Sequence, residues 1–181
     1  MKNLKQLILS DLTRYGGGKS WKAFLRAYFF IPGFRVSFWF RVASHYRRNP
    51  LYWFILRRYH YKYGIELPKG TKVGEGFYIG HSGRVIINPE AKIGKNVNIA
   101  TGVTIGCENR GERKGAPTIE GNCWIGTNSV IVGNVKIGED VLIAPLTFVN
   151  FDVPAHSIVI GNPAKIIHKE NATKDYVENK V

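Results

Sequence analysis

The chain has 181 residues, enough for one or two small domains, and carries 26 Lys and Arg against 13 Asp and Glu, a formal net charge of +13. Its two cysteines, Cys107 and Cys123, cannot build a disulfide framework and stand in no metal-ligand spacing, so reduced thiols, a cytoplasmic setting and no bound metal are expected. Arg26, Arg35, Arg41, Arg47, Arg57 and Arg58 interrupt every apolar stretch before it reaches bilayer length, and the start of the chain has no signal-peptide core.

The charge is confined to the front third. Residues 1–64 hold 13 Lys and Arg and one acid, Asp11, whereas residues 65–181 hold 13 against 12. This basic region is also rich in Trp, Phe and Tyr, and it reads as four helical pieces. The first runs from about Asn3 to Arg14 and ends at Gly16, Gly17 and Gly18. The second starts at Ser20, a suitable N-cap, and stops before Pro32. The third covers about Pro32–Arg48, and the fourth about Pro50–Tyr63 with Gly64 as breaker. Such helices can cap an apolar column and leave Arg in solvent, or lie on an anionic membrane surface. No nucleic-acid motif accompanies the charge, so nucleic acid is not an expected partner.

From Leu67 onward the sequence beats in sixes. Aliphatic residues fall at Leu67, Val73, Ile79 and Val85, then at Ile87, Ile93, Ile99 and Ile105, then at Ile119, Ile125, Ile131, Ile137, Ile143 and Val149. A period of six fits neither an amphipathic helix nor an alternating strand. It fits short flat strands wound into a triangular prism, three units to a coil, with the aliphatic residue inward. The expected fold is therefore mainly β: a parallel β-helix of about five coils over residues 65–168, with the helical region 1–64 before it and a tail, 169–181, after it. The slip between Val85 and Ile87 predicts a bulge or widened corner. The polar stretch 107–117 predicts a loop projecting from the prism.

His81, in Tyr78-Ile-Gly-His-Ser-Gly83, is the expected catalytic residue. Glycines leave the backbone around it open, and its unperturbed pKa suits proton transfer near neutrality. Glu66 lies fifteen residues upstream, near one coil length, and is expected to orient it. Arg84 and Arg113 are expected acceptor-binding cations.

Taken together, Gly64-Ile-Glu-Leu-Pro68, Phe77-Tyr-Ile-Gly-His-Ser-Gly83, Gly102-Val-Thr-Ile-Gly106 and Gly161-Asn-Pro-Ala-Lys165 resemble the left-handed β-helix of the hexapeptide-repeat acyltransferases. Within that superfamily the chain resembles serine acetyltransferases and, more closely, the O-acetyltransferases of capsule and exopolysaccharide synthesis. The resemblance implies acetyl transfer from acetyl-CoA to a hydroxyl, His81 as general base, and a homotrimer with its sites between subunits. It implies a donor wall at Gly126, Thr127, Ala144 and Pro145, with Lys165 near the CoA phosphates. Serine acetyltransferases carry Asp where Gly80 stands, and Arg-His where this chain has Gly115-Ala116 before Pro117. On that ground the expected acceptor is a sugar hydroxyl of a surface polysaccharide or its lipid-linked precursor, a glycan reached from the inner face of the membrane. The alternatives are serine O-acetylation, N-acetylation of an amino sugar nucleotide, and a non-catalytic membrane-surface prism.

Overall fold

A computed structural model describes residues 3–16, 18 and 20–181. Four helices precede a three-faced parallel β-solenoid of about five coils. The helices are α1 (Leu4–Arg14), α2 (Trp21–Phe30), α3 (Pro32–His45) and α4 (Pro50–Tyr63). Their ends follow local chemistry. Asn3 and Gln6 form a reciprocal capping box on α1, and Ser20 caps α2. Pro32 and Pro50 occupy first turns, and Gly64 closes α4 in the left-handed region. The third helix ends at His45, three residues earlier than expected, and Gly17 of the first breaker lies outside the described residues.

The first face stacks Ile65–Glu66, Val85–Ile87, Thr104–Gly106, Val130–Val132 and Phe148–Val149. The second stacks Lys72–Val73, Lys92–Ile93, Thr118–Ile119 and Lys136–Ile137. The third stacks Tyr78–Ile79, Asn98–Ile99, Trp124–Ile125, Val141–Ile143 and Ser157–Gly161, and Ala164–His168 turns back antiparallel to end it. Every position of the six-residue beat is buried except Val73, which is half-buried. Each fully buried Ile adds about 2–3 kcal/mol of burial energy, so the column itself is the stabilising element.

Register explains both breaks in the beat. Between the last coils of the first face the step is eighteen residues, Ile131 to Val149. The first step is twenty residues, Ile65 to Val85. The two extra residues lie between Ile79 and Val85, so the break is the widened corner and not a bulge; Val85 and Ile87 both point inward from one three-residue strand. The step from Ile105 to Ile131 is twenty-six residues and contains the loop. That loop is pinned as a small hairpin by paired backbone bonds between Glu108 and Gly115, each 2.9 Å.

The helices close one end of the column. Val36, Phe40 and Ala43 of α3 and Leu56 of α4 join the same core cluster as Ile65, Leu67, Phe77 and Ile79. Residues 169–181 are not a free tail. Ala172, Thr173 and Val177 are buried, and Asp140 accepts from the Ala172 amide at 3.0 Å and from the Thr173 hydroxyl at 2.7 Å.

Candidate active site

The third-to-first-face corner carries the candidate residues. Ile79, Ile99, Ile125 and Ile143 are stacked partners on the third face. Two residues beyond each lie His81, Thr101, Thr127 and Pro145, so one corner column runs from the candidate base to the expected donor wall. His81 is exposed, and among the described residues its ring has no hydrogen-bond partner. The turn beside it needs glycine: Gly83 has φ +134, and a Cβ there would stand 2.3 Å from Thr101 Oγ1. Gly126 is fixed by packing, since a Cβ would meet Ile143 O at 2.6 Å and Pro145 N at 2.7 Å. It shapes the wall by letting the Ala144–Pro145 turn approach. Lys165 is exposed and pairs with Ile160 at the far end of the same face.

His81 opens into a cavity of about 390 Å³, shared with Arg14, Asn98, Thr127, Asp175 and Glu178. Arg14 belongs to α1 and is buried, with 4% of its surface exposed. Its Nη2 donates to Asn98 Oδ1, while Nε and Nη1 have no partner among the described residues. Burial lowers the pKa of this guanidinium, against the smaller raising influence of Tyr15, Tyr78 and Asp11. Asn98 Nδ2 in turn donates to the Tyr176 carbonyl at 2.9 Å, and the Tyr176 ring packs on Trp124 at 4.9 Å. The first helix and the C-terminal segment are therefore joined through one asparagine at the cavity that His81 lines.

Three expected residues are placed elsewhere. Glu66 and Arg84 line a separate cavity of about 730 Å³ with Trp53, Arg57 and His60. No hydrogen bond or ion pair joins Glu66 to His81 among the described residues. The corner at 80–84 presents His81 to one cavity and Arg84 to the other, so the pairing expected from spacing is not made within one chain. The His60 imidazole, driven down to about 4 by burial, is neutral and accepts the Leu67 amide at 3.3 Å. Arg113 is exposed on the hairpin between the first and second faces, a different edge from that of His81. Cys123 is buried and its thiol pushed up to about 12 by burial, which makes it a core residue.

Arg14 and the C-terminal segment were not legible as site residues, because an arginine ending a basic helix looks like a solvated charge. The usable signal was Asp11, the lone acid in a segment of 13 cations, which marks the helix face that turns inward.

Residues 116–150 match the family described as bacterial transferase hexapeptide (six repeats). The chain is 34% identical over 125 residues to serine acetyltransferase 2 of Arabidopsis thaliana, covering 63% of this chain and 39% of that protein. It is 32% identical over 143 residues to serine acetyltransferase of Helicobacter pylori, covering 77% of this chain and 83% of that protein. Among solved structures, soybean serine acetyltransferase complexed with serine is similar at a TM-score of 0.79 and 26% identity, over 91% of this chain and 69% of that one. The chain spans less than half the length of several curated relatives, 39%, 36% and 48% of three of them.

These relatives overturn the expected polysaccharide acceptor, and the glycan partner with it. That expectation took Gly80 and Gly115-Ala116 as proof that nothing grips an amino acid. It assumed that only those positions could do so, whereas charged groups from α1 and the C-terminal segment line the His81 cavity. With 32% identity across 83% of the Helicobacter pylori relative, the chain belongs to the serine acetyltransferase family of hexapeptide-repeat proteins.

Proposed function

We propose that the protein transfers acetyl from acetyl-CoA to the hydroxyl of serine, with His81 as general base. The observation that carries this reading is the shared corner: His81 opens into a cavity with Thr127, and Thr127 stacks below Pro145 on the expected donor wall. His81 takes the hydroxyl proton as that oxygen attacks the thioester carbonyl. The carbon–sulfur bond then breaks, and the imidazolium returns the proton to the departing thiolate. Gly126, Thr127, Ala144 and Pro145 flank the pantetheine arm, and Lys165 faces the CoA phosphates. Family membership and the serine bound in the soybean neighbour support the acceptor.

The assembly in this proposal is a homotrimer with sites between prisms. It is supported by the placement of His81 and Arg113 on different edges of one prism, so that Arg113 reaches a base only from a neighbouring copy. The aromatic, cationic surface of α2 and α4 supports a further element of the proposal, peripheral attachment to an anionic membrane.

The test is thiol release from acetyl-CoA with serine, simple sugars and an amino sugar nucleotide as acceptors. Serine is expected to be preferred and to give a base-labile ester, and His81→Ala is expected to lower kcat about 100- to 10,000-fold with unchanged circular dichroism. Preferred turnover of the amino sugar into a base-stable amide would refute the reading.

A further inference from the structure

From the charge pattern of the His81 cavity we infer that Arg14 anchors the acceptor's α-carboxylate, and that Asp175 and Glu178 of the C-terminal segment receive its α-ammonium. This rests on the serine reading and supplies the grip missing at Gly80 and Gly115-Ala116.

A guanidinium like that of Arg14, with 4% exposure and two nitrogens without partners among the described residues, is rare, because buried donors are nearly always satisfied and buried charges paired. The carboxylate nearest along its helix is not free to help. Asp11 accepts from Arg41 Nε and Nη2, both at 2.9 Å, from the Ser37 hydroxyl and from the Phe77 amide at 2.9 Å. Those bonds lock α1 to α3 and to the first coil and so fix the backbone from which Arg14 reaches the cavity. Asn98 holds the guanidinium by its Oδ1. A fixed, incompletely satisfied cation in a cavity that also holds a general base points to an anionic group on the molecule the base acts upon.

The opposite charge is supplied across the same cavity. Asp175 and Glu178 line it, on a segment fastened by the Asn98–Tyr176 bond and the Trp124–Tyr176 ring contact. A cation site on one wall and two carboxylates on another complement a small zwitterion. The cavity, about 390 Å³, is of the size that accommodates such a ligand with the end of a thioester arm. The hydroxyl is then the remaining functional group, and His81 lines the same cavity as the base to meet it.

The decisive comparison uses the unaltered protein with serine, serinamide and 3-hydroxypropanoate, which remove the carboxylate charge and the ammonium in turn. Each analogue is expected to lose about 10- to 100-fold in kcat/KM, the range for a hydrogen bond to a charged partner. Arg14→Gln is expected to raise the KM for serine by a similar factor and to abolish the preference for serine over serinamide. Serinamide used as well as serine overturns the inference while leaving the serine reading intact, and so does an Arg14→Gln protein that raises the KM for acetyl-CoA alone. Calorimetric binding of serine separates the two claims further. Serine that binds through Arg14 without being acetylated refutes the acetyl-transfer reading only, and serine that neither binds nor reacts refutes both.

Discussion

Asp11 and Arg41 form a two-pronged ion pair, both bonds 2.9 Å, with side-chain exposures of 1% and 4%. Arg41 also donates through Nη1 to the Val73 carbonyl at 2.7 Å, and Asp11 accepts the Phe77 amide, so the pair bolts α1 and α3 to the first coil. Removing one partner strands the other charge in the interior. Asp11→Ala is therefore expected to destabilise the protein by about 3–5 kcal/mol in urea unfolding. Exchanging both residues for apolar ones of similar volume is expected to recover most of that loss. A change below about 1 kcal/mol for Asp11→Ala would show that the helices are held by apolar packing alone.

The C-terminal segment carries its own pH dependence. Asp140 is raised by partial burial but lowered more strongly by the combined bonds from the Thr173 hydroxyl, His156 and the Thr173 and Ala172 amides, so its carboxyl is held below the ordinary carboxylate range. His156 is raised above 6.5, chiefly by its 3.0 Å bond to Asp140, with Glu170 and Glu139 adding to the effect. Glu170 also lies 3.5 Å from His168 Nε2. A lowered carboxylate stabilises above its unfolded pKa and loses that contribution as pH falls through its folded pKa. A raised imidazole stabilises fully below its unfolded pKa and loses that contribution as pH rises through its folded one. Attachment of residues 170–181 is therefore expected to be firmest between about pH 4 and 6.5 and to loosen above neutrality. Amide exchange of Ala172 and Thr173 across pH reads this after correction for intrinsic rates. His156→Gln should flatten the loosening above about pH 6.5 and leave the acid side in place; a slope that persists there would assign it to another group.

The prism was legible because its stabilising residues are also its periodic ones: an inward Ile every sixth position is a packing requirement written directly in the chain. The helix caps were legible for the same local reason, as Ser20 and Gly64 show. The cavity was not, because its parts are joined by single contacts over long separations. Asn98 bonds to Arg14, 84 positions away, and to Tyr176, 78 positions away. No period marks either contact. The placement of Glu66 was not legible either, because spacing near one coil sets height along the prism without setting which cavity a corner residue enters.

Trp21 is 71% exposed and Phe30 80%, and Phe29 beside it and Phe54 on α4 are also exposed. Among the described helices none is long and apolar enough to cross a membrane. Bare aromatic side chains of this size on basic helices match the interfacial pattern, rings at the headgroup level and cations toward anionic lipid. Each Lys or Arg near such a surface adds about 1 kcal/mol, lost as salt shortens the Debye length. Co-sedimentation with vesicles containing phosphatidylserine is expected at low salt, with binding falling at about 0.5 M salt and absent on phosphatidylcholine alone. Paired Trp21→Ser and Phe30→Ser changes should weaken binding without altering the unfolding free energy by more than about 0.5 kcal/mol, since both side chains already face solvent. Lack of binding to anionic vesicles at low salt would exclude the membrane and assign this face to a protein partner.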